Sequence, residues 1–448
     1  METKEHWEKL TTALTNDRIS EFREEFLDMH AYDQAMYFME QTAESRLLIY
    51  SFLSPEEVAD FMENIELDDI EPFFTEMDPR FASMVFSELA TDDAVDILNE
   101  LEKDMVASFL TIMDNEAAHE IKELLHYEEK TAGSIMTTEF VAIYKTQTVK
   151  QVMERLKVEA PDAETIYYLY VLDEVKRLVG VTSLRDLIIA DDSTLVEDIM
   201  SEKIVSVSVA KDQEDVAQMM RDYDFLALPV IDFQEHLLGI ITVDDIMDVM
   251  EEEASDDYSK LAGVSDMDRP NDNALISAKK RLPWLIILLF LGMLTASLIG
   301  RFEATLEEVA ALAIFIPLIA GMAGNTGTQA LAVAVRGIAT GDYGQQGKTK
   351  LILREAGTGI ITGTVCGTVI TVVIYLWKGE IFLGLLVGIS IMASLIVATI
   401  AGSFVPLLMD RLKVDPAVAS GPFITTINDI ISVLIYFGIA TAFLSYLT

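Results

Sequence analysis

The sequence predicts a multidomain chain: an acidic soluble half, made of an all-α superhelical N-domain and an α/β repeat, then an acidic connecting helix and a five-helix α transmembrane domain. Three observations carry this. The 448 residues have formal net charge −42, yet 51% are hydrophobic and mean hydropathy is +0.31, a combination that one solvent does not serve. The charge is segregated, because residues 276–448 hold 11 Lys/Arg against 9 Asp/Glu while the preceding part holds 21 against 65. Two internal repeats of different length fill the acidic part, and long apolar stretches fill the neutral part.

Within residues 1–130, positions 52–125 repeat a short helical unit at roughly 12-residue spacing. Ser54-Pro-Glu-Glu, Asp78-Pro-Arg, Thr91-Asp-Asp and Asp114-Asn-Glu each place an N-cap residue ahead of an amphipathic segment. Short helices stacked in this way make a superhelix; a helical bundle is the alternative. The N-terminal segment has no apolar h-region, so no cleaved signal peptide is expected.

Residues 131–250 carry the second repeat, divided at about 131–196 and 197–250. Ile135-Met136-Thr137 is echoed by Ile199-Met200-Ser201, and Gly180-Val-Thr-Ser-Leu-Arg-Asp-Leu187 by Gly239-Ile-Ile-Thr-Val-Asp-Asp-Ile246, the latter at an offset of 59. Ala227–Ile231 and Leu238–Thr242 read as strands and Gln213–Tyr223 as a helix. The pattern resembles a tandem pair of CBS motifs, a ligand-responsive β-α-β-β-α module. That resemblance implies Thr242 with Asp245, and Ser183 with Asp186, as candidate contacts to a nucleotide such as ATP.

The connecting helix, 251–275, continues an acidic run: Asp244, Asp245, Asp248, Glu251, Glu252, Glu253, Asp256 and Asp257. Asp245, Asp248 and Glu252 share one helical face, as do Glu253, Asp256 and Asp257 approximately. Like charges at that spacing destabilise a helix unless counterions arrive. A cation sensor and a merely solvated acidic face are the two readings, and the position just ahead of the first span favours the sensor. Such an excess of acid repels nucleic acid and anionic lipid surfaces alike.

In residues 276–448 five apolar stretches, roughly 283–300, 309–335, 357–377, 381–409 and 417–447, reach the length needed to span a membrane. Lys279, Lys280 and Arg281, then Arg336, Lys348, Lys350 and Arg354, then Arg411 and Lys413 all fall on the side of the N-terminus. That side is therefore expected to be cytoplasmic, leaving the C-terminus outside. The second stretch contains Pro317, three glycines, Asn325, Thr326, Thr328 and Gln329. This suits either a helix broken against a water-filled path or close glycine packing. The fifth contains Thr425, Thr426, Asn428 and Asp429, the last being the one acid placed well inside an expected span. An intramembrane carboxylate faces a cavity or partner and is functional by default. Carboxylate, amide and hydroxyl groups without thiol or imidazole suit a hard cation, Mg²⁺, Mn²⁺ or Ca²⁺. Asn325, Gln329, Thr425, Asn428 and Asp429 are the candidate pore-lining residues, with Glu303 and Glu307 at the outer mouth.

The order of parts, with Thr131-Ala-Gly-Ser-Ile-Met-Thr137, Gly324-Asn-Thr-Gly-Thr-Gln329 and Asp415-Pro-Ala to Asn428-Asp429, resembles the MgtE family of magnesium channels over essentially the whole chain. The resemblance implies a multi-pass inner-membrane homodimer with a two-fold pore at Asp429 and an acidic plug helix. It further implies that Mg²⁺ is both substrate and closing signal, sensed at Glu214, Asp224, Asp245, Asp248, Glu253, Asp256 and Asp257. Asp222 competes with Asp224 for one of these places, and Asp92, Asp93 and Asp96 align too loosely to choose among. A membrane-tethered Mg²⁺ or nucleotide sensor and an ion-coupled carrier are the rival readings. An enzyme is not expected, since no nucleophile–base set or phosphate loop is present and the five histidines form no ligand pattern. The single cysteine, Cys366, excludes a disulfide framework.

Overall fold

In the computed structural model, which describes residues 2–265, 273–340 and 345–444, the chain divides into two units, Met1–Met250 and Glu251–Thr448. The first begins with short helices in unbroken succession, and over residues 55–124 each packs mainly on the second one along. Pro55–Met62 packs on Pro79–Glu88, which packs on Lys103–Ile112; Leu67–Glu76 packs on Thr91–Glu100, which packs on Asn115–Leu124. This is the expected superhelix. Ser54 starts its helix with a complete capping box, the Glu57 N–H donating to Ser54 Oγ (3.3 Å) and the Ser54 N–H to Glu57 Oε2 (2.8 Å). Asp78 Oδ1 accepts from the Arg80 N–H at 2.9 Å. Thr91 departs from expectation: Ala90 occupies the cap position, and the Thr91 hydroxyl instead meets Thr138 Oγ1 (3.2 Å) and Glu139 Oε1 (3.3 Å). The helix is thus started by tertiary contacts.

The second repeat forms two three-stranded sheets of the same topology. Strands β1 (Phe140–Tyr144), β2 (Thr165–Leu172) and β3 (Leu178–Ser183) make one sheet; β4 (Val207–Ser208), β5 (Ala227–Ile231) and β6 (Leu237–Thr242) make the other. In each, the first pairing is parallel and the second antiparallel. Tyr168 pairs with Ser183 in the first, and 59 residues later Ala227 pairs with Thr242 in the second. The sequence offset is therefore a structural register. After β6, Val243–Ala262 runs as one helix across the boundary between units. No Gly or Pro interrupts it, which is why the acidic run and the last helix of the repeat are continuous. Residues 266–272 of the expected connecting segment lie outside the described residues.

Among the described residues five helices are long and apolar enough to cross a membrane: Ala274–Gly300, Ala310–Ala339, Gly347–Lys378, Ile381–Arg411 and Gly421–Ala442. Two details differ from the sequence reading. The second span is not broken at its polar glycine-rich stretch. A 3₁₀ segment (Ala310–Phe315) precedes a continuous helix (Ile316–Ala339) with Pro317 in its first turn, where the missing N–H costs nothing. The third span starts earlier than residue 357, so Glu355, only 7% exposed, lies within it, an acid in the membrane helices additional to Asp429 and to Asp410 at the end of the fourth span.

Candidate cation sites

An acidic cleft forms in the first unit where the start of the Thr91–Glu100 helix meets the sheets. Asp92 is 7% exposed, and its Oδ1 is buried without a hydrogen-bond partner. Burial, followed by the charges of Asp245, Asp93 and Glu164, pushes its carboxyl well above the usual range. Burial, with Glu63 and Asp245, pushes Asp93 up to about 8. Glu139 rises to about 7 through burial and Glu164, despite accepting from Thr91. Glu63 is exposed as a residue, but its carboxyl takes the Ala90 N–H and rises to about 7, through burial and then Glu164. Asp245 rises to about 6, chiefly by burial, against the lowering effect of the Thr242 hydroxyl. The Glu164 N–H donates to the Glu139 carbonyl at 2.8 Å, which fixes those two acids side by side. Carboxylates crowded like this repel one another and hold protons or attract cations.

The other expected sensing acids are distributed. Glu214 is exposed in the first turn of Gln213–Tyr223. Asp224 caps the far end of that helix at φ 54°, in the left-handed region. Asp222, its competitor, lies 3.7 Å from Arg221. Asp248 is exposed on Val243–Ala262. Glu253, Asp256 and Asp257 belong to the second unit, where burial and then Asp415 push Asp257 up to about 6. Among the described residues no three His, Cys, Asp or Glu side chains stand close enough to hold a metal ion, so these acids are gathered without being drawn into a cage.

Between the two sheets lies an open recess of about 100 Å³ lined by Tyr168, Tyr170, Val181, Lys203, Ile204, Val205, Phe225, Ala227, Leu228 and Pro229. Tyr170 is 1% exposed, and its hydroxyl is buried without a partner. Neither motif pair lines this cavity. Ser183 and Asp186 cap a helix beside it, Asp186 Oδ2 accepting from Ser183 Oγ at 2.6 Å, and Ser183 sits opposite Tyr168. Thr242 sits opposite Ala227, but Asp245 faces Asp92 and Asp93.

In the second unit the glycines of the second span admit the fifth. A Cβ on Gly324 would lie 2.7 Å from Thr425 Cγ2, and one on Gly327 would overlap the Asn428 amide. The close-packing reading therefore holds for Thr425 and Asn428. Asn428 is 1% exposed, with both amide atoms buried and unpartnered, and the adjacent half-buried Asp429 has an unpartnered buried Oδ1. Asn325 and Gln329 lie exposed, one turn apart on the second span, and no hydrogen bond among the described residues joins them to Asp429. Glu303 and Glu307 are exposed on the short helix Glu303–Glu308.

Comparison with known proteins gives the frame for these sites. Residues 316–439 match the divalent cation transporter domain of the MgtE family, residues 29–130 its intracellular N domain, and residues 132–193 and 196–252 the CBS domain. A magnesium transporter MgtE of Enterococcus faecalis is 56% identical over 447 residues, covering 99% of this chain and 98% of that protein. The chain belongs to the MgtE family. Two crystal structures resemble its first half. The soluble part of a magnesium transporter has TM-score 0.55 and 51% identity, covering 56% of this chain and 99% of its own. The cytosolic domain of the Mg²⁺ channel MgtE in complex with ATP has TM-score 0.52 and 37% identity, covering 54% and 99%. MgtE proteins are transporters, not enzymes, and this chain is a multi-pass membrane protein of that family.

Sequence reasoning named Asp245, Asp429 and the acidic helix as candidates and left Asp92, Asp93 and Asp96 undecided; it did not name Glu63, Glu139 or Glu164, which the fold places in the cleft with Asp92, Asp93 and Asp245. Glu63 did carry a signal. It is the C-cap of Pro55–Met62, an end where the helix dipole disfavours a carboxylate. Glu139 and Glu164 stand in loops before strands, and only the fold brings them together.

Proposed function

We propose that this MgtE chain is a Mg²⁺ uptake channel of the inner membrane, a homodimer whose pore passes Asp429 and closes when cytoplasmic Mg²⁺ is high. The observation that carries the reading is the buried, unpartnered polar pair Asn428 and Asp429 inside a membrane helix. Unmet polar groups in a hydrocarbon setting are expensive, and a carboxylate there suits a hydrated divalent cation. Mg²⁺ gives up its water reluctantly, so it binds Asp429 of two subunits through retained water and leaves again. Asn325 and Gln329, exposed on the single chain at mid-span, are the polar groups expected to meet the partner or the ion path. Glu303 and Glu307 gather cations outside. The basic residues flanking the spans orient the first unit toward the cytoplasm.

Gating is electrostatic in this reading. At low Mg²⁺ the cleft of Glu63, Asp92, Asp93, Glu139, Glu164 and Asp245, together with Glu214, Asp224, Asp248, Glu253, Asp256 and Asp257, is self-repelling. Mg²⁺ shared among them favours the closed arrangement by its higher affinity for it.

The residues around the cavity also fit ATP. The half-buried Tyr168 and Phe225 offer faces for a base, and the exposed Lys203 offers a charge for phosphate. At Thr242 and Asp245, by contrast, phosphate would meet the Asp92 and Asp93 carboxylates, so Ser183 and Asp186 are the better motif pair. Removing the Tyr168 ring should weaken ATP binding by about 1–3 kcal/mol, the worth of one base–aromatic stack; titration calorimetry of Tyr168→Ala checks this.

The deciding experiment is Mg²⁺ flux into proteoliposomes for wild type and Asp429→Asn, with cytoplasmic-side Mg²⁺ varied. Flux that needs Asp429 and falls as that Mg²⁺ rises supports the channel. A folded protein without flux under any ion condition would favour a membrane-tethered sensor.

A further inference from the structure

The last turn of the Val243–Ala262 helix is fastened to the base of the fifth span by contacts of three kinds, all inside the second unit. Lys260 Nζ lies 2.7 Å from Asp415 Oδ2 and 3.6 Å from Asp256 Oδ2. Leu261 joins an apolar cluster with Ala417, Ala419 and Ile424. The backbones also approach closely: a Cβ on Gly421 would meet the Leu261 carbonyl oxygen at 3.1 Å, and one on Gly263, at φ +73°, would meet Pro422 Cγ at 3.2 Å. Asp415 in turn accepts the Ala417 N–H at 2.8 Å and starts the 3₁₀ turn Pro416–Val418. That turn leads directly into the helix bearing Asn428 and Asp429. The ammonium group therefore holds a residue that sets how the fifth span begins.

Burial first, then Asp415, Glu253 and Asp256, raise the Asp257 carboxyl, and Lys260 pulls it back. An acidic helix end resting against another carboxylate is eased by a proton or by a cation between them, and here the Lys260 ammonium lies between Asp256 and Asp415.

We propose that Lys260 is a built-in cation that clamps the connecting helix onto the base of the fifth span and thereby sets the cytoplasmic Mg²⁺ level at which the pore shuts. The proposal rests on the gating reading above. Because the charge is covalently attached, part of the closed arrangement exists before any Mg²⁺ binds, and less of the ion is needed to complete the shift. Lys260 acts through Asp415 and is a positioning residue.

The test compares full-length wild type with Lys260→Gln, Lys260→Arg, Asp415→Asn and the exchange of Lys260→Asp with Asp415→Lys. One readout is the Mg²⁺ concentration that halves flux from the cytoplasmic side. The other is the rate at which a maleimide labels Ala419→Cys in a Cys366→Ala background, which needs no transport. Ala419 is 0% exposed, so labelling reports release of the helix end that packs with it. Lys260→Gln and Asp415→Asn should both raise the half-inhibiting Mg²⁺ by roughly two- to fivefold, the range of a partly exposed ion pair. Lys260→Gln should also speed Mg²⁺-free labelling at 419. Lys260→Arg and the exchange should return both readouts toward wild type. If Lys260→Gln lowers the half-inhibiting Mg²⁺, Lys260 competes with the ion and the proposal fails. It fails equally if neither readout moves. Wild-type flux indifferent to Mg²⁺ with faster labelling in Lys260→Gln would instead sink the gating reading while leaving the clamp in place.

Discussion

Asp92 stands at the start of a helix, where the dipole favours an acid, yet it is sealed against Asp245 and Asp93 with one oxygen unpartnered. Local geometry welcomes the charge and tertiary packing penalises it. Asp92→Asn should therefore stabilise the Mg²⁺-free chain, raising the first unit's unfolding free energy by about 1–3 kcal/mol, the usual scale for a badly matched buried polar group. The same variant should blunt the further rise in melting temperature that Mg²⁺ produces in the wild type, as read by differential scanning fluorimetry with and without the ion. A variant that loses stability without Mg²⁺ and keeps the full Mg²⁺ response would contradict the cleft as an ion-binding site. Asp92 also marks how far sequence reading reaches. Its helix was legible from Thr91-Asp-Asp, but its neighbours Glu139 and Glu164 lie 47 and 72 positions along the chain, and no local pattern links them.

The second and fifth spans show the opposite case, in which glycine spacing was informative but its meaning was ambiguous. Gly324 and Gly327 fit either a broken helix or close packing, and the continuous Ile316–Ala339 helix settles on packing. Gly327→Val should drive the Asn428 amide from its seat and cost about 1–3 kcal/mol through overpacking, with flux falling in proportion to folded protein or more steeply. Gly292→Ala, in the first span, is the control, because nothing lies within 4 Å of its Cβ position, and it should leave melting and flux unchanged. Flux into proteoliposomes carrying each variant, normalised to folded protein, distinguishes the two. Glu355 escaped sequence reading for a related reason. The charges of Lys348, Lys350 and Arg354 mark that stretch as loop, whereas Lys348 pairs with Asp410 of the fourth span and the helix continues through it.

For the chain as a unit of stability, the cleft makes folding take up protons. Glu63, Asp93, Glu139 and Asp245 hold their protons to about 7, 8, 7 and 6 in the fold, above the ordinary carboxylate value of roughly 4 in an unfolded chain. At pH 8 most of these groups are charged in both states, and the fold bears the repulsion. As pH falls from about 8 toward 5 the folded chain protonates first, so stability without divalent cations should rise across that window. Mg²⁺ should stabilise more at pH 8 than at pH 6, since at the lower pH protons already screen the cleft. Melting curves at both pH values, with and without Mg²⁺, check the sign. Equal Mg²⁺ stabilisation at both would separate ion binding from these carboxylates.

The shared 59-residue register has a further consequence when the two sheets are viewed as products of one duplication. Asp186 and Asp245 are counterparts, yet one is left in solvent beside an aromatic recess, and the other is enclosed by the N-domain's acids. What separates them is the neighbour that packs on each copy, not the copied strands themselves. The same motif therefore stands in two settings, with Asp186 open to solvent and Asp245 held against fixed negative charge.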